Sequence, residues 1–312
     1  MAVAIVVVCT FMLLAALAMV IAWGGRSVRE PLQAVPTADP VPLSVPAQDV
    51  AASAQVSAMR RYLWWANVAT VAAVASGLLV AWAGGRLVMR VLAVTSPASA
   101  QGRLTEAQAN VGFPTVEGSI ALLFFGGLPA GFAAAFIYVL LHRWFPAGRW
   151  AGPLLGTLLL LVFGASVEPF RSDNIDFGIV GPGWLSVVLF SALAVLHGAV
   201  VAAVAGAFSG RLPLPFGQNW KYYLPLLAAV IFLPAGVLLG AGALAVMVWT
   251  RLDDFVRSRR RPGAGEGVPA AKPPSADRRR AVIDWAGRGV LGVAAVAALP
   301  PFVSAVASIV SR

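Results

Sequence analysis

Long apolar stretches that carry no charged residue away from their ends are the feature that most constrains this chain. A helix that crosses a bilayer needs about 20 mostly apolar residues, because each residue advances it by about 1.5 Å across a hydrocarbon core of about 30 Å. Only 12% of the 312 residues are charged, whereas about 25% is usual in soluble domains. We therefore predict an all-α polytopic transmembrane helix bundle of about seven spans. The predicted spans cover residues 2–23, 62–83, 119–141, 151–168, 183–207, 224–249 and 288–309.

Two linkers separate the first and the last span from the central ones. The domain organisation that we predict is a first transmembrane anchor (1–23), a Pro/Ala-rich linker (24–61), a core of five spans (62–249), a basic Gly/Pro-rich linker (250–287) and a last span (288–312). The first span lacks the basic start of a secretion signal, so we expect a retained anchor. The basic linker is either a solvated tether or a segment that contacts anionic lipid head groups. The residues for such contact are Arg257, Arg259, Arg260, Arg261, Arg278, Arg279 and Arg280.

The distribution of basic residues leaves two membrane topologies open. If all seven spans cross and 250–287 is cytoplasmic, 14 of the 23 Lys and Arg residues lie inside. If 224–249 instead enters and leaves on one side, as a break at Pro234 would allow, 18 of them lie inside, which fits the positive-inside rule better. Two limbs of about 12 residues are too short to span, however. We therefore expect seven plain crossings.

Small residues four apart recur in the predicted spans, and they allow helix backbones to approach closely. They are the pairs Gly127/Gly131, Gly152/Gly156 and Gly236/Gly240, and the stripe Gly198, Ala202, Gly206 and Gly210. We interpret them as packing seams inside the monomer. The alternative is an interface with a membrane-protein partner or a second copy of the chain.

One polar cluster lies between the fourth and fifth spans. It comprises Glu168, Arg171, Asp173, Asn174 and Asp176. Three carboxylates, an arginine and an amide within nine residues are suited to cation binding or to general acid/base chemistry. The alternative is an interfacial turn in which Arg171 pairs with a neighbouring acid.

A second polar region covers 84–118. Arg86 and Arg90 are four residues apart, so they share one face of a helical extension. They either reach lipid phosphates or meet acids, which are Glu106 or Glu117, or Asp173 and Asp176 of the 169–182 loop. In the seven-crossing topology the two polar loops share one side of the membrane, so we expect them to close over one mouth.

His197 is the one ionisable residue deep inside a predicted span. One hydrogen bond between helices satisfies a neutral imidazole, although a proton relay or a ligand site is the functional alternative. The chain lacks nucleotide-binding, hydrolase and zinc-protease signatures. We predict no cofactor, no metal and no nucleic-acid partner.

The segments GGRLVMRVLAVTSP, GRLTEAQANVGFPTVEGS and SDNIDFGIVGPGWLSVVLFSALAVLHG resemble a pattern in uncharacterised multi-pass membrane proteins of actinobacteria. The resemblance covers about 84–200, and this chain departs from the pattern at Phe113, where glutamate is expected. It implies a plasma-membrane location and supplies no activity.

These observations leave three functions open. The first is a non-enzymatic accessory or envelope component that is held together by helix packing. The second is a transporter or channel for a small or lipid-like solute, with the 84–118 and 169–182 loops at its mouth and a water-accessible cavity that reaches His197. The third is an intramembrane enzyme in which Glu168, Asp173 or Asp176 converge on one cleft with a raised pKa.

Overall fold

The structure is a computed structural model, and it describes residues 2–29, 47–167, 169–171, 173–215, 217–260 and 275–311. Within these ranges it describes no side chains for 47–57, 254, 257–260, 275–277 and 280. The described residues form helices and loops and no β-sheet, which confirms the predicted all-α bundle.

The described part of the chain contains ten α-helices. They are α1 (Ala2–Trp23), α2 (Ala47–Ser76), α3 (Ala83–Thr95), α4 (Val116–Leu122), α5 (Leu128–Leu141), α6 (Ala151–Phe163), α7 (Gly183–Ser209), α8 (Leu226–Ile231), α9 (Leu233–Arg260) and α10 (Ser275–Val310). Two π-helical turns join neighbours into longer rods, Gly77–Trp82 between α2 and α3 and Leu123–Gly127 between α4 and α5.

Six helical stretches of the described chain are long and apolar enough to cross a membrane, as an integral membrane protein requires. They are Val3–Trp23, Ala58–Thr95, Val116–Trp144, Gly183–Ser209, Leu233–Asp253 and Ala281–Val310. The predicted span 151–168 is shorter, because α6 has only 13 residues. The predicted linkers are partly helical, since α2 begins at Ala47 and α10 at Ser275.

The centre of the bundle is built from α2, α5, α6 and α7, which pack through glycines. A side chain at Gly131 would overlap the Ala73 carbonyl oxygen of α2, and one at Gly156 would overlap the backbone of Ala194 in α7. The pairs Gly127/Gly131 and Gly152/Gly156 are therefore seams inside the monomer, as we interpreted them. The third pair differs, because nothing lies within 4 Å of a Cβ built at Gly240.

The bundle has two distinct ends. We call the end formed by the loops 96–115 and 164–182 the polar-loop end. At this end the carbonyl oxygen of Ile309 in α10 contacts Gly183 at the start of α7. At the opposite end Asp284 of α10 pairs with Arg143 at 2.6 Å, just after α5. Helix α10 therefore runs the full length of the bundle.

The 224–249 segment turns back inside the bundle. Asn67 of α2 donates a hydrogen bond to the Tyr222 carbonyl oxygen at 2.8 Å, and ten residues later the Phe232 ring stacks on Phe132 of α5 at 5.4 Å. By Leu239 the chain has returned to the level of Tyr62 in α2, because the Tyr62 hydroxyl donates a hydrogen bond to the Leu239 carbonyl oxygen at 2.6 Å.

Phe132 is next to Gly131, which contacts Ala73. The turn at Phe232 therefore lies about 16 Å further along α2 than Tyr62, at 1.5 Å per residue. The helix breaks at Phe232 and resumes with Pro234 in the first turn of α9, where a proline is tolerated. The 224–249 segment thus turns back toward the end from which it entered, in contrast to the plain crossing that we expected, and its stretch Leu233–Asp253 is long and apolar enough to cross a membrane.

Candidate functional site

The two polar loops meet at the polar-loop end. The Ser96 hydroxyl accepts a hydrogen bond from the Gly181 N–H at 2.7 Å and donates to the Leu92 carbonyl oxygen at 2.6 Å. The Asp176 carboxylate accepts the Glu106 N–H at 2.8 Å. These bonds join segments 70 to 85 residues apart in the chain, so the loops form one cap. Their expected proximity is confirmed.

Arg171 pairs with acids from both loops. Its Nη2 donates to Glu106, and its Nε donates to Asp173 at 2.6 Å. The hydrogen bond to Glu106, followed by that to Asp173, raises the pKa of Arg171. The Asp173 side chain is 74% exposed, so solvent screens this pair and its contribution to stability is small. The pair is the interfacial turn that we described as one alternative, extended to a second loop.

Asp176 is the half-buried carboxylate of the cap. Its own N–H donates to the Asn174 side-chain oxygen at 2.8 Å, which starts the short 3-10 helix Ile175–Gly178. Burial raises the pKa of Asp176, while the N–H of Glu106 acts in the opposite direction. The carboxylate accepts the Glu106 N–H, and the nearby charge of Glu106 also raises the pKa of Asp176, so Asp176 fastens the two loops.

Arg90 also binds loop backbone. It lies on α3, which confirms the predicted helical extension, and its Nη1 donates to the Gly112 carbonyl oxygen at 2.8 Å. Gly112 has a φ of +85°, and a side chain there would overlap the amide oxygen of Gln101. Gln101 in turn donates to the Ala93 carbonyl oxygen at 2.7 Å. The alternative in which Arg90 meets Asp173 or Asp176 is therefore replaced by a bond within the 84–118 region.

Arg86 lies one helical turn before Arg90 and has different surroundings. Its Nε is buried and has no hydrogen-bond partner among the described residues. Its Nη2 lies 3.5 Å from the position of a Cβ at Gly118, and Cys9 of α1 is within electrostatic range. The guanidinium is thus enclosed by α1, α3 and the start of α4, within a helical stretch long enough to span a membrane.

An apolar groove of about 320 Å³ is lined by residues that neighbour Arg86, although Arg86 itself does not line it. Ala4, Val8 and Cys9 of α1 form one wall. Trp82, which is one turn before Arg86, Ser119 and Ile120 form the other. The Trp82 ring is fixed because its Nε1 donates to the Ser119 carbonyl oxygen at 2.8 Å.

His197 is enclosed where α5, α7 and the end of α2 meet. Its Nε2 lies 3.3 Å from the Ala130 carbonyl oxygen, whereas its buried Nδ1, near the Ser76 backbone, has no hydrogen-bond partner among the described residues. The next residue, Gly198, contacts Gly156 so closely that no side chain fits. These contacts are those of a histidine that joins helices.

The remaining predicted site residues lie apart from this cap or outside the described structure. Glu117 is exposed in the first turn of α4, which the Thr115 hydroxyl caps by accepting the Gly118 N–H at 3.0 Å. Glu168 lies outside the described residues. Arg278 and Arg279 are exposed on α10. The side chains of Arg257, Arg259, Arg260 and Arg280 and the whole of Arg261 lie outside what the structure describes.

Sequence reasoning missed two residues of this region and gave a third a different partner. Gln101 supports Gly112, and Cys9 lines the groove. Glu106, which we considered as a partner of Arg86 or Arg90, instead receives Arg171, because its partner is set by loop geometry that no local pattern reports. The apolar context of Cys9 is the same as that of its neighbours in α1.

Comparison with known proteins adds no relative to this description. No protein-family model matches the chain, and neither a curated protein nor a solved structure is significantly similar to it. The described residues contain no group of three or more His, Cys, Asp or Glu side chains placed to hold a metal ion.

Proposed function

We propose that this chain is a non-enzymatic accessory component of the plasma membrane, held together by helix packing and sealed at its polar-loop end. The observation that carries the proposal is the cap itself. Arg171, Glu106 and Asp176 are bound to one another or to loop backbone. Charged groups that pair with each other across two loops seal the surface between those loops. The mouth of a transport pathway would instead need charged groups that are directed toward a solute.

Transport of a small solute is the alternative, and it requires a water-filled path to His197. The ring is covered by Ala130 and Ser76, and neither the groove beside Cys9 nor the cavity of about 20 Å³ near Tyr138 is lined by it. The packed arrangement therefore favours the accessory role.

The topology of 224–249 supports one orientation. With this segment entering and leaving at one end, 16 of the Lys and Arg residues whose backbone the structure describes lie at the end opposite the cap, and four lie at the cap end. By the positive-inside rule that end faces the cytoplasm and the cap faces the outside. The resemblance to actinobacterial membrane proteins supports the plasma-membrane location and remains part of this proposal.

Partners of such a component are lipid and other membrane proteins. Helix α9 supports this part of the proposal, because only 6% of its most apolar 18-residue stretch is buried. The open glycine at Gly240 lies on this helix, so α9 offers the small-residue face that is left for a partner or a second copy.

Thiol labelling from water distinguishes the accessory role from transport. We replace Cys9 by alanine, introduce His197→Cys, and treat membranes with a charged, membrane-impermeant thiol reagent. Ser166→Cys in the same background is the accessible control, because Ser166 is exposed in the 164–182 loop. We expect labelling at position 166 and none at position 197. Labelling at 197 that rises when candidate solutes are removed would overturn the accessory role in favour of transport.

A further inference from the structure

Arg86 combines three properties that no other described arginine shares. Its Nε is buried without a hydrogen-bond partner in the described residues, it lies within a helical stretch long enough to span a membrane, and its Nη2 lies beside Gly118, next to Ser119, which lines an apolar groove. By comparison, Arg90 binds the Gly112 carbonyl oxygen and Arg171 binds two acids. An ionisable group inside a span is costly unless it has a partner, so its partner is the question that the structure raises.

The groove indicates the apolar part of that partner. Its volume of about 320 Å³ is at the lower end of the range of ligand pockets, roughly 300–1,000 Å³. Ala4, Val8 and Ile120 present only hydrocarbon to it, and Val8 and Ile120 are about half exposed on the surface of the bundle. A ligand that fills it therefore reaches it from the lipid phase and has a hydrocarbon chain.

The positive charge of Arg86 indicates the polar part of the ligand. A guanidinium donates several hydrogen bonds in a planar fork that matches phosphate oxygens. No carboxylate is described in contact with Arg86. Glu117 and Glu106 are the nearest acids in sequence, but Glu117 is exposed on α4 and Glu106 binds Arg171.

We propose that this groove is a binding site for one anionic phospholipid, with an acyl chain between α1 and α4 and the phosphate on Arg86. The site goes beyond the accessory role and does not depend on it. The bound lipid places phosphate oxygens against the outer nitrogens of the Arg86 guanidinium, for which the described residues supply no acid, and its acyl chain packs between α1 and α4. The occupant is a lipid and not a free phosphate, because the volume beside the cation is apolar.

Native mass spectrometry of the full chain tests the site. The protein is released from nanodiscs of equimolar phosphatidylglycerol and phosphatidylcholine with identical acyl chains, and the lipids that remain bound are counted. We expect the wild type to retain phosphatidylglycerol with a preference of about tenfold, the scale of a lost charge-assisted hydrogen bond. Arg86→Gln should reduce that preference to near one, and Arg86→Lys, which keeps the charge without the planar fork, should keep only part of it.

Two matched variants separate the site from general effects of charge. Arg103→Gln removes one cation from the exposed loop at the same end, so it should leave the preference unchanged. Ala4→Trp fills the groove without touching the charge, and it should abolish retention of the bound lipid. Thermal unfolding in detergent shows whether each variant is folded. If Arg86→Gln does not fold, the result for Ala4→Trp decides the test.

The proposal is overturned if Arg86→Gln and Arg103→Gln change the preference equally, or if folded Ala4→Trp retains lipid as the wild type does. It is also overturned if millimolar inorganic phosphate displaces the lipid, because binding would then rest on the phosphate alone. Loss of lipid in Ala4→Trp with His197 still inaccessible to water would support the site and leave the accessory role untouched.

Discussion

Gly156 provides the most direct test of the packing that holds the bundle together. A Cβ built there would lie 2.7 Å from the Val195 Cα of α7 and would overlap the Ala194 carbonyl oxygen. Both neighbours are backbone atoms, so relief requires α6 and α7 to move apart. Gly156→Leu therefore inserts a whole side chain into a contact with no space, and overpacking of this kind costs about 1–3 kcal/mol or more.

Gly240 is the matched control, because it is also a helical glycine four residues after another one but has nothing within 4 Å of a built Cβ. Thermal unfolding in detergent, followed by the loss of the monodisperse peak in size-exclusion chromatography, measures both variants. At about 2–4 °C per kcal/mol we expect Gly156→Leu to lower Tm by about 6 °C or more and Gly240→Leu by about 1 °C at most. Equal losses at the two positions would refute the described packing of α6 on α7. A loss at Gly240 alone, with a change of oligomeric state, would show that α9 is an interface.

Three further outcomes follow from the described contacts. Burial raises the pKa of Asp176, so the folded chain takes up this proton at a higher pH than the unfolded chain does. The folded state therefore gains stability as the pH falls toward about 4. In measurements of Tm against pH, the rise in Tm toward low pH should be smaller for Asp176→Asn than for the wild type. Trp64→Phe leaves the Leu212 carbonyl oxygen without its 3.0 Å donor in a buried site, which should cost about 1–3 kcal/mol in detergent unfolding, and an unchanged Tm would contradict that bond. In a cysteine-free background, Arg251→Cys and Ser166→Cys should be labelled from opposite faces of sealed vesicles, whereas labelling from one face would restore α9 as a plain crossing.

The helical fold could be predicted because hydrocarbon leaves the backbone few choices. A stretch such as 2–23 contains no charged residue, and only a helix satisfies its backbone groups within lipid. The spacing of Arg86 and Arg90 likewise indicated a helix, and α3 confirms it. The seams at Gly131 and Gly156 could be predicted as well, since close approach of helices needs small residues wherever the partner helix lies.

The bonds of the polar-loop end could be predicted only in part. The sequence placed the two loops on one side, yet it suggested Arg86 and Arg90 as partners for Asp173 and Asp176. The structure pairs Arg171 with Glu106, which is 65 residues away, and directs Arg90 to a backbone oxygen. Which of several similar charges meet depends on loop geometry, and a separation of one helical turn decides whether an arginine reaches a loop or remains in the bundle, as Arg86 does.

The path of each helix through the bundle could not be predicted from hydropathy. Hydropathy reports the length of an apolar stretch, and in this chain that length does not decide whether a helix runs from one end of the bundle to the other. Helix α6 is only 13 residues long, about 20 Å, yet its contacts with α7 carry the chain from the end near Arg143 to the cap. Helix α9 has 28 residues, enough to span, yet it begins beside Phe132 in the middle of the bundle and leaves at the end from which the chain entered. The short helix α6 connects the two ends of the bundle because it packs on α7, and the chain turns back before α9 because Phe232 and Pro234 break it halfway. The same neighbours that fix these two paths place the basic residues at one end, so tertiary contacts, and not the apolar content of any single stretch, decide the orientation that we propose.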